Sequence, residues 1–277
     1  MTAPTGHPSP PDIDLAVIGV GSMGGAVLEA ALAAGTLDPS RTAICDPDPD
    51  RVAFFTNLGC RPTDLERTRD CPRLLLCVKP QIFLEISSSL ETTSTPRTAI
   101  SVMAGLHSST ISPRLGPTTS IVRAMPNTPA SIGAGITALA AGAGATPEEV
   151  AYARRIFESV GTVVDVDESQ MHAVTAVSGS GPAWVFRTAE AWMEAALREG
   201  LDPEVARSLV VETIHGAARL LRESDLGAVA LREAVTSKGG TTAAGLDAMD
   251  RAGFDEAFMA AIQAAANRGR ELDANGQ

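Results

Sequence analysis

A short apolar run, Asp14 to Ile18, ends in Gly19-Val20-Gly21-Ser22-Met23-Gly24, and Met23 to Ala34 then has helical composition. A strand that turns through three spaced glycines into a helix leaves few architectures open. The first glycine makes the tight turn, the second lets backbone approach a pyrophosphate, and the third lets the helix pack on the strand. Glycine-rich turns are common, so the hexapeptide alone is a weak signal. Its context is what the dinucleotide fingerprint requires, because Asp46 ends the next strand. Gly19, Gly21, Ser22, Met23 and Gly24 are therefore expected to hold a dinucleotide cofactor.

Thr42 to Cys45 reads as that second strand and Arg51 to Leu58 as a helix. Arg73 to Val78, Ala99 to Val102, Ser120 to Arg123, Gly135 to Ala140 and Thr162 to Val166 read as further strands. Thr146-Pro147-Glu148-Glu149 is a capping box with proline at the first helical position, and it starts a helix reaching about Ser159. Strands alternating with helices imply a parallel, doubly wound sheet. After Asp167 the strand pattern stops. Glu168 to Val177, Pro182 to Glu199, Pro203 to Glu223, Ala243 to Arg251 and Phe254 to Leu272 read as helices, with Asp202 as an N-cap before Pro203. The expected organisation is a disordered tail over 1–11, a Rossmann-like dinucleotide-binding domain over 12–166 and an all-α domain over 167–277. Alanine pairs recur on the late helices, and a helical half of this size hides little surface on itself. Burial against a second copy of the chain is therefore expected.

Composition narrows the function. Hydrophobic residues make up 44% of the chain and aromatics only 4%, so the core must be aliphatic. The formal charge is −11 with no basic block, which argues against nucleic-acid partners. No apolar run reaches the length of a membrane span, and Met1 to Pro11 lacks a hydrophobic signal core, so a cytoplasmic protein is expected. Cys45, Cys60, Cys71 and Cys77 form no Cys-x-x-Cys pair, and the four histidines are scattered. These read as reduced thiols and structural imidazoles rather than a metal site.

Several constellations fall at strand ends, where ligands bind in open α/β folds. Cys77-Val78-Lys79-Pro80 and Val102-Met103-Ala104 each follow a strand. Asn127, in the rigid Met125-Pro126-Asn127-Thr128-Pro129 turn, has an amide for nicotinamide or for its own backbone. A carboxylate at Asp46 suits the free hydroxyls of an NAD ribose and repels a 2′-phosphate, although Arg51 is close enough in sequence to offset that repulsion. Far along the chain lies Ser237-Lys238-Gly239-Gly240-Thr241-Thr242. Its threonines open a helix, whose unpaired N–H groups and partial positive charge hold a carboxylate.

Taken in order, Gly-x-Gly-x-Met-Gly, Val-Lys-Pro, Arg-x-Met-Pro-Asn-Thr-Pro, Ser-Gly-Ser-Gly-Pro-Ala and Thr-Ser-x-Gly-Gly-Thr-Thr resemble the pyrroline-5-carboxylate reductase family. The resemblance runs from about Asp14 to Leu272. Lys238 departs from it, standing where proline is usual, and Trp184 stands where tyrosine is common. The resemblance implies an N-terminal Rossmann domain, a helical domain that interlocks in a homodimer, and decamers in some members. It implies reduction of the cyclic C=N bond of 1-pyrroline-5-carboxylate to L-proline. NADPH (NADP) is the commoner donor and NADH (NAD) the alternative. Thr242 is expected to bond the substrate ring nitrogen as the catalytic hydroxyl. The backbone N–H groups around Gly240, Thr241 and Thr242 are expected to hold its carboxylate, with Ser237 and Gly239 lining the same pocket and Glu168 and Thr175 near the substrate. Two rival readings are a β-hydroxyacid dehydrogenase and a nicotinamide-binding sensor. The first lacks its lysine in the run after Gly181, and the second has no use for a Gly-Gly-Thr-Thr pocket.

Overall fold

The computed structural model describes residues 13–91 and 96–275; the tail expected over 1–11 lies outside them. The chain divides into two compact units, Met1–Ser180 with Ala264–Gln277, and Gly181–Gln263. In chain order the first unit holds β1 (Leu15–Ile18), α1 (Ser22–Ala33), β2 (Thr42–Cys45), α2 (Pro49–Asn57), β3 (Arg61–Pro62) and β4 (Arg73–Leu76). It continues with α3 (Pro80–Leu90), β5 (Arg97–Ser101), α4 (Ser108–Leu115), β6 (Thr119–Met125), β7 (Gly135–Ala141), α5 (Pro147–Glu158), β8 (Gly161–Asp165) and α6 (Met171–Val174). The helical unit holds α7 (Gly181–Arg198), α8 (Pro203–Glu223), α9 (Ala228–Ala234) and α10 (Thr241–Arg251), while α11 (Phe254–Asn275) runs on into the first unit.

The eight strands lie in the order β3-β2-β1-β4-β5-β6-β7-β8. Alternate residues point to opposite faces. Leu15 and Val17 of β1 accordingly join Leu75, Ile100 and the α1 and α5 side chains on one face. Ala16 and Ile18 join Leu74, Leu76 and Phe83 on the other. Both faces are covered, which is why these strands read as apolar runs rather than alternating ones. Strands β1 and β4 are parallel neighbours, and the order in which successive strands are added reverses between them. That switch point is where open α/β sheets bind ligands.

The expectation of an all-parallel sheet needs one correction. β7 is antiparallel to β6, and β8 is parallel to β7. The cause is the short connection: β6 leads through one 3-10 turn, Thr128–Ile132, straight into β7. A parallel return needs a crossover of a dozen residues or more. The capping box at Thr146 forms with both reciprocal bonds. Asp202 stands at the α8 N-cap, but its side chain makes no capping bond. The helix expected over Glu168 to Val177 is instead a 3-10 turn, one α-turn and a π-turn over Thr175–Gly179. There the Thr175 and Ser178 hydroxyls donate to the carbonyls of Met171 and Val174, and Ser180 N–H reaches back to Thr175. β3, α3, α4 and α9 have no clear signal: β3 is two residues long, α3 carries three consecutive serines before its final Leu90, and α4 contains Pro113.

All four cysteines are free thiols. Cys60 and Cys71 are buried, and burial pushes each thiol up to about 11. At pH 8 roughly one such thiol in a thousand is thiolate. Alkylation of the native protein at that pH is expected to leave both untouched, and unfolding to expose them. Rapid native labelling of either, read by peptide mass, would show that the core is not closed as described.

The helical unit is different in kind. Ala206 and Val210 are its only buried hydrophobic side chains among the described residues. Phe186 (61% exposed), Val229 (60%) and Met259 (63%) lie open, with Trp192 and Leu209. Apolar exposure on this scale marks a surface that another protein chain covers.

Candidate active site

The glycine loop and the end of β4 meet at the switch point. A Cβ placed on Gly24 would lie 2.1 Å from the Gly19 carbonyl oxygen and 2.7 Å from Cys77 Cβ. One on Gly19 would meet the Cys77 backbone at 3.0 Å and Val78 Cγ1 at 3.1 Å. Gly21 is exposed with nothing within 4 Å of such an atom. It is the N-cap of α1, which carries no side-chain cap and no acidic residue in its first turn. The α1 start is therefore an open ring of N–H donors beside vacant space, which suits a pyrophosphate. Ser22 is exposed and Met23 half-buried at that start.

Asp46 is locked onto this loop. Its Oδ2 accepts Val20 N–H at 2.7 Å and its Oδ1 accepts Asp48 N–H at 2.9 Å. Arg51 Nε donates to Val20 O at 2.8 Å, so two residues of the β2–α2 segment grip one loop residue from both sides. Lys79 is exposed at the α3 N-cap, where Pro80 opens the helix. Val102 N–H pairs with Leu76 O, which sets Val102, Met103 and Ala104 at the same sheet edge. Asn127 Oδ1 accepts Ile136 N–H at 3.0 Å, so the asparagine serves the backbone of β7.

Behind that edge lies a cluster of one buried and several half-buried charged groups whose layout no sequence pattern signals. Arg123 is 3% exposed, and its Nη2 donates to Met103 O at 2.5 Å. Burial pulls its pKa down to about 10, opposed by Glu168 and Asp273. Glu168 accepts both Ser108 N–H (2.7 Å) and Ser108 Oγ–H (2.6 Å), capping the α4 start, and its Oε2 lies 3.3 Å from His107 Nε2. Asp273, in the last turns of α11, accepts His107 N–H at 2.8 Å and lies 3.6 Å from His172 Nε2. Arg123, His107, Glu168, His172 and Thr175 line a cavity of about 10 Å³, room for one water. Thr175 spends its hydroxyl on Met171 O. The structure thus brings Glu168 and Thr175 together and gives both hydrogen-bonding roles within the protein. Glu168→Ala is expected to cost about 1–2 kcal/mol, the usual loss for a helix cap. Glu168→Gln should recover part of it. A denaturation midpoint unmoved by alanine would deny the capping role.

The second anion-binding candidate lies in the helical unit. Gly239 has φ +71°, a left-handed turn that a side chain would strain. Gly240 is the N-cap of α10, again with no side-chain cap and no acid in the first turn. Its own N–H is spent on Ser237 O at 3.0 Å. Of the three N–H groups expected to take a carboxylate, those of Thr241 and Thr242 therefore remain. A Cβ on Gly240 would lie 2.3 Å from Ser237 Oγ, so the serine hydroxyl sits at the helix mouth. Thr241, Thr242 and Lys238 are exposed in this unit.

A Rossmann-like sheet with an uncapped glycine-rich helix start, followed by a helical unit with an uncapped Gly-Gly-Thr-Thr start, defines a dinucleotide-dependent oxidoreductase of two-unit construction. Comparisons with known proteins agree. Residues 168–272 match the family model for pyrroline-5-carboxylate reductase dimerisation, and residues 14–105 match that for NADP oxidoreductase, coenzyme F420-dependent. The pyrroline-5-carboxylate reductase of Synechocystis sp. is 37% identical over 263 residues, covering 94% of this chain and 98% of its own. The structure of a Coxiella burnetii pyrroline-5-carboxylate reductase superimposes with TM-score 0.83 at 35% identity, over 94% of this chain and 98% of that one. The Plasmodium falciparum pyrroline carboxylate reductase with NADP bound gives TM-score 0.84 at 27% identity, over 95% and 98%. The chain belongs to the pyrroline-5-carboxylate reductase family.

Proposed function

We propose that this protein reduces 1-pyrroline-5-carboxylate to L-proline. The observation that carries the reading is the Ser237–Thr242 turn. It presents an uncapped helix start and a free threonine hydroxyl in a chain that has a separate uncapped helix start for a pyrophosphate. A bound reduced nicotinamide dinucleotide supplies hydride from its C4 position. NADPH is the form the family resemblance favours, with NADH as the alternative. Gly19, Gly21, Ser22, Met23 and Gly24 hold the pyrophosphate. Cys77 to Pro80 and Val102 to Ala104 line the same sheet edge, with Asn127 bracing it through β7.

The backbone N–H groups of Thr241 and Thr242 hold the substrate carboxylate at the positive end of α10. Ser237 and the two glycines shape that turn. Thr242 Oγ bonds the ring nitrogen and fixes which face of the C=N bond is presented. The imine carbon gains the hydride, the π pair moves to nitrogen, and nitrogen keeps the proton it brought, giving a secondary amine. A protonated imine is already electrophilic, so positioning is the main task of the protein. Glu168 and Thr175 support the sheet edge from behind.

A homodimer covers the exposed apolar faces of the helical unit, and a decamer is the higher assembly the resemblance allows. Sedimentation velocity separates the two. Four free thiols suit a reducing, cytoplasmic compartment. The decisive assay follows NADPH and NADH oxidation in parallel with pyrroline-5-carboxylate, its six-membered homologue and a β-hydroxy acid. Turnover of the hydroxy acid alone would overturn the reading. Dinucleotide binding without turnover of any cyclic imine would also overturn it.

A further inference from the structure

The end of β2 carries an unusual charge arrangement. Asp46, Asp48 and Asp50 follow one another on the turn into α2. Asp48 is spent on capping α2, accepting Asp50 and Arg51 N–H. Asp46 is held by two N–H bonds, one to each oxygen, from Val20 and Asp48. Each carboxylate oxygen has two lone-pair sites. One site on each oxygen is therefore left unused by these bonds, beside the glycine loop. Two acceptors match a diol, whose hydroxyls each bring a donor. They do not match a phosphate, which at neutral pH brings charge and almost no donors.

Arg51 is the nearby cation that would have to compensate. Its Nε is committed to Val20 O at 2.8 Å. Its guanidinium carbon lies 5.5 Å from the Phe54 ring centroid and 5.2 Å from that of Phe55. Its Nη2 packs over α1, 2.0 Å from where a Gly25 Cβ would stand. The guanidinium is thus used as a strut between α2 and the loop, packed against α1. Asp64 adds negative field at the same strand end: with Asp46 it raises the pKa of Cys45, after burial. Arg67, the cation beside Asp64, pairs with it at 3.4 Å.

We propose that this chain prefers NADH to NADPH, with Asp46 setting the preference by accepting both adenosine-ribose hydroxyls of NADH and repelling the 2′-phosphate of NADPH. The inference rests on the reading that the glycine loop holds a dinucleotide, and it departs from the donor that the family resemblance favours.

The test is a fluorescence titration of the full-length protein with NADH and with NADPH at about 0.15 M salt, beside the two kcat/KM values for pyrroline-5-carboxylate. NADH is expected to bind at least about tenfold more tightly, since like-charge juxtaposition is costly in a site that is partly desolvated. Asp46→Asn keeps an acceptor oxygen for Val20 N–H and removes the charge. It is expected to bring the ratio towards one, mainly by tightening NADPH. Arg51→Met is expected to weaken both dinucleotides alike. Equal or tighter NADPH binding by the native protein overturns the proposal. So does a ratio unmoved in folded Asp46→Asn, or a selective loss of NADPH in Arg51→Met. Should Asp46→Asn not fold, the native ratio at low and high salt decides: repulsion predicts that added salt narrows it, and a ratio indifferent to salt counts against Asp46. If neither dinucleotide drives imine reduction, the functional reading fails while the titration still judges the cofactor preference.

Discussion

Thr242→Ala is expected to lower turnover of pyrroline-5-carboxylate by about 10²–10³-fold while leaving dinucleotide affinity within about twofold. The size is that of losing one oriented hydrogen bond that holds the ring nitrogen in its attack geometry. Folding should not confuse the result. Thr242 is exposed, and no side chain caps α10. Alanine is the better helix former of the two. Stability is therefore expected to hold or rise slightly. Thr242→Ser retains the hydroxyl and should recover most of the rate. Turnover equal to that of the native enzyme in the alanine variant would remove Thr242 from the reaction.

Gly24→Ala is expected to destabilise the first unit by about 3 kcal/mol and abolish dinucleotide binding, since the added methyl overpacks a closed contact. The Gly19 carbonyl oxygen, 2.1 Å from the new atom, is backbone and belongs to the loop that takes the pyrophosphate. The α1 helix would have to lift away from Cys77, and the loop would move with it. Gly21→Ala is the instructive contrast. Nothing lies within 4 Å of a Cβ there, so stability should not change. The methyl would instead occupy the space left for the ligand, and binding alone should weaken. Calorimetry separates the effects, because 1 kcal/mol shifts the midpoint by roughly 2–4 °C for a unit of this size. Equal behaviour of the two variants would show that the loop is not built as described.

Much of this site is local chemistry, and local chemistry is legible in a sequence. The glycine loop, the Thr146 capping box and the Gly-Gly-Thr-Thr helix start each depend on residues a few positions apart. Each forms within two residues of its expected place. The strands also emerged, because burial on both faces leaves unbroken apolar runs. Asp46 was legible only as a carboxylate at a strand end. That one of its oxygens binds Val20 N–H, and that Arg51 braces the same residue from its other side, depends on contacts across 26 and 31 residues. The roles of His107, Glu168, His172 and Asp273 were less legible still. His107 N–H and the Asp273 carboxylate are 166 positions apart, and neither belongs to a spaced motif.

By itself, then, the order of residues determined where most of the strands and helices form, and that the α1 and α10 starts at Gly21 and Gly240 carry no side-chain cap. Those outcomes follow from hydrogen bonds and side-chain periodicity within a turn or two of chain. Tertiary structure alone decided that Glu168 caps the α4 start, that Asp273 meets His107, and that Asp46 and Arg51 both bind Val20. Such questions turn on which partner reaches a group first in three dimensions. A short-range pattern carries no record of that competition.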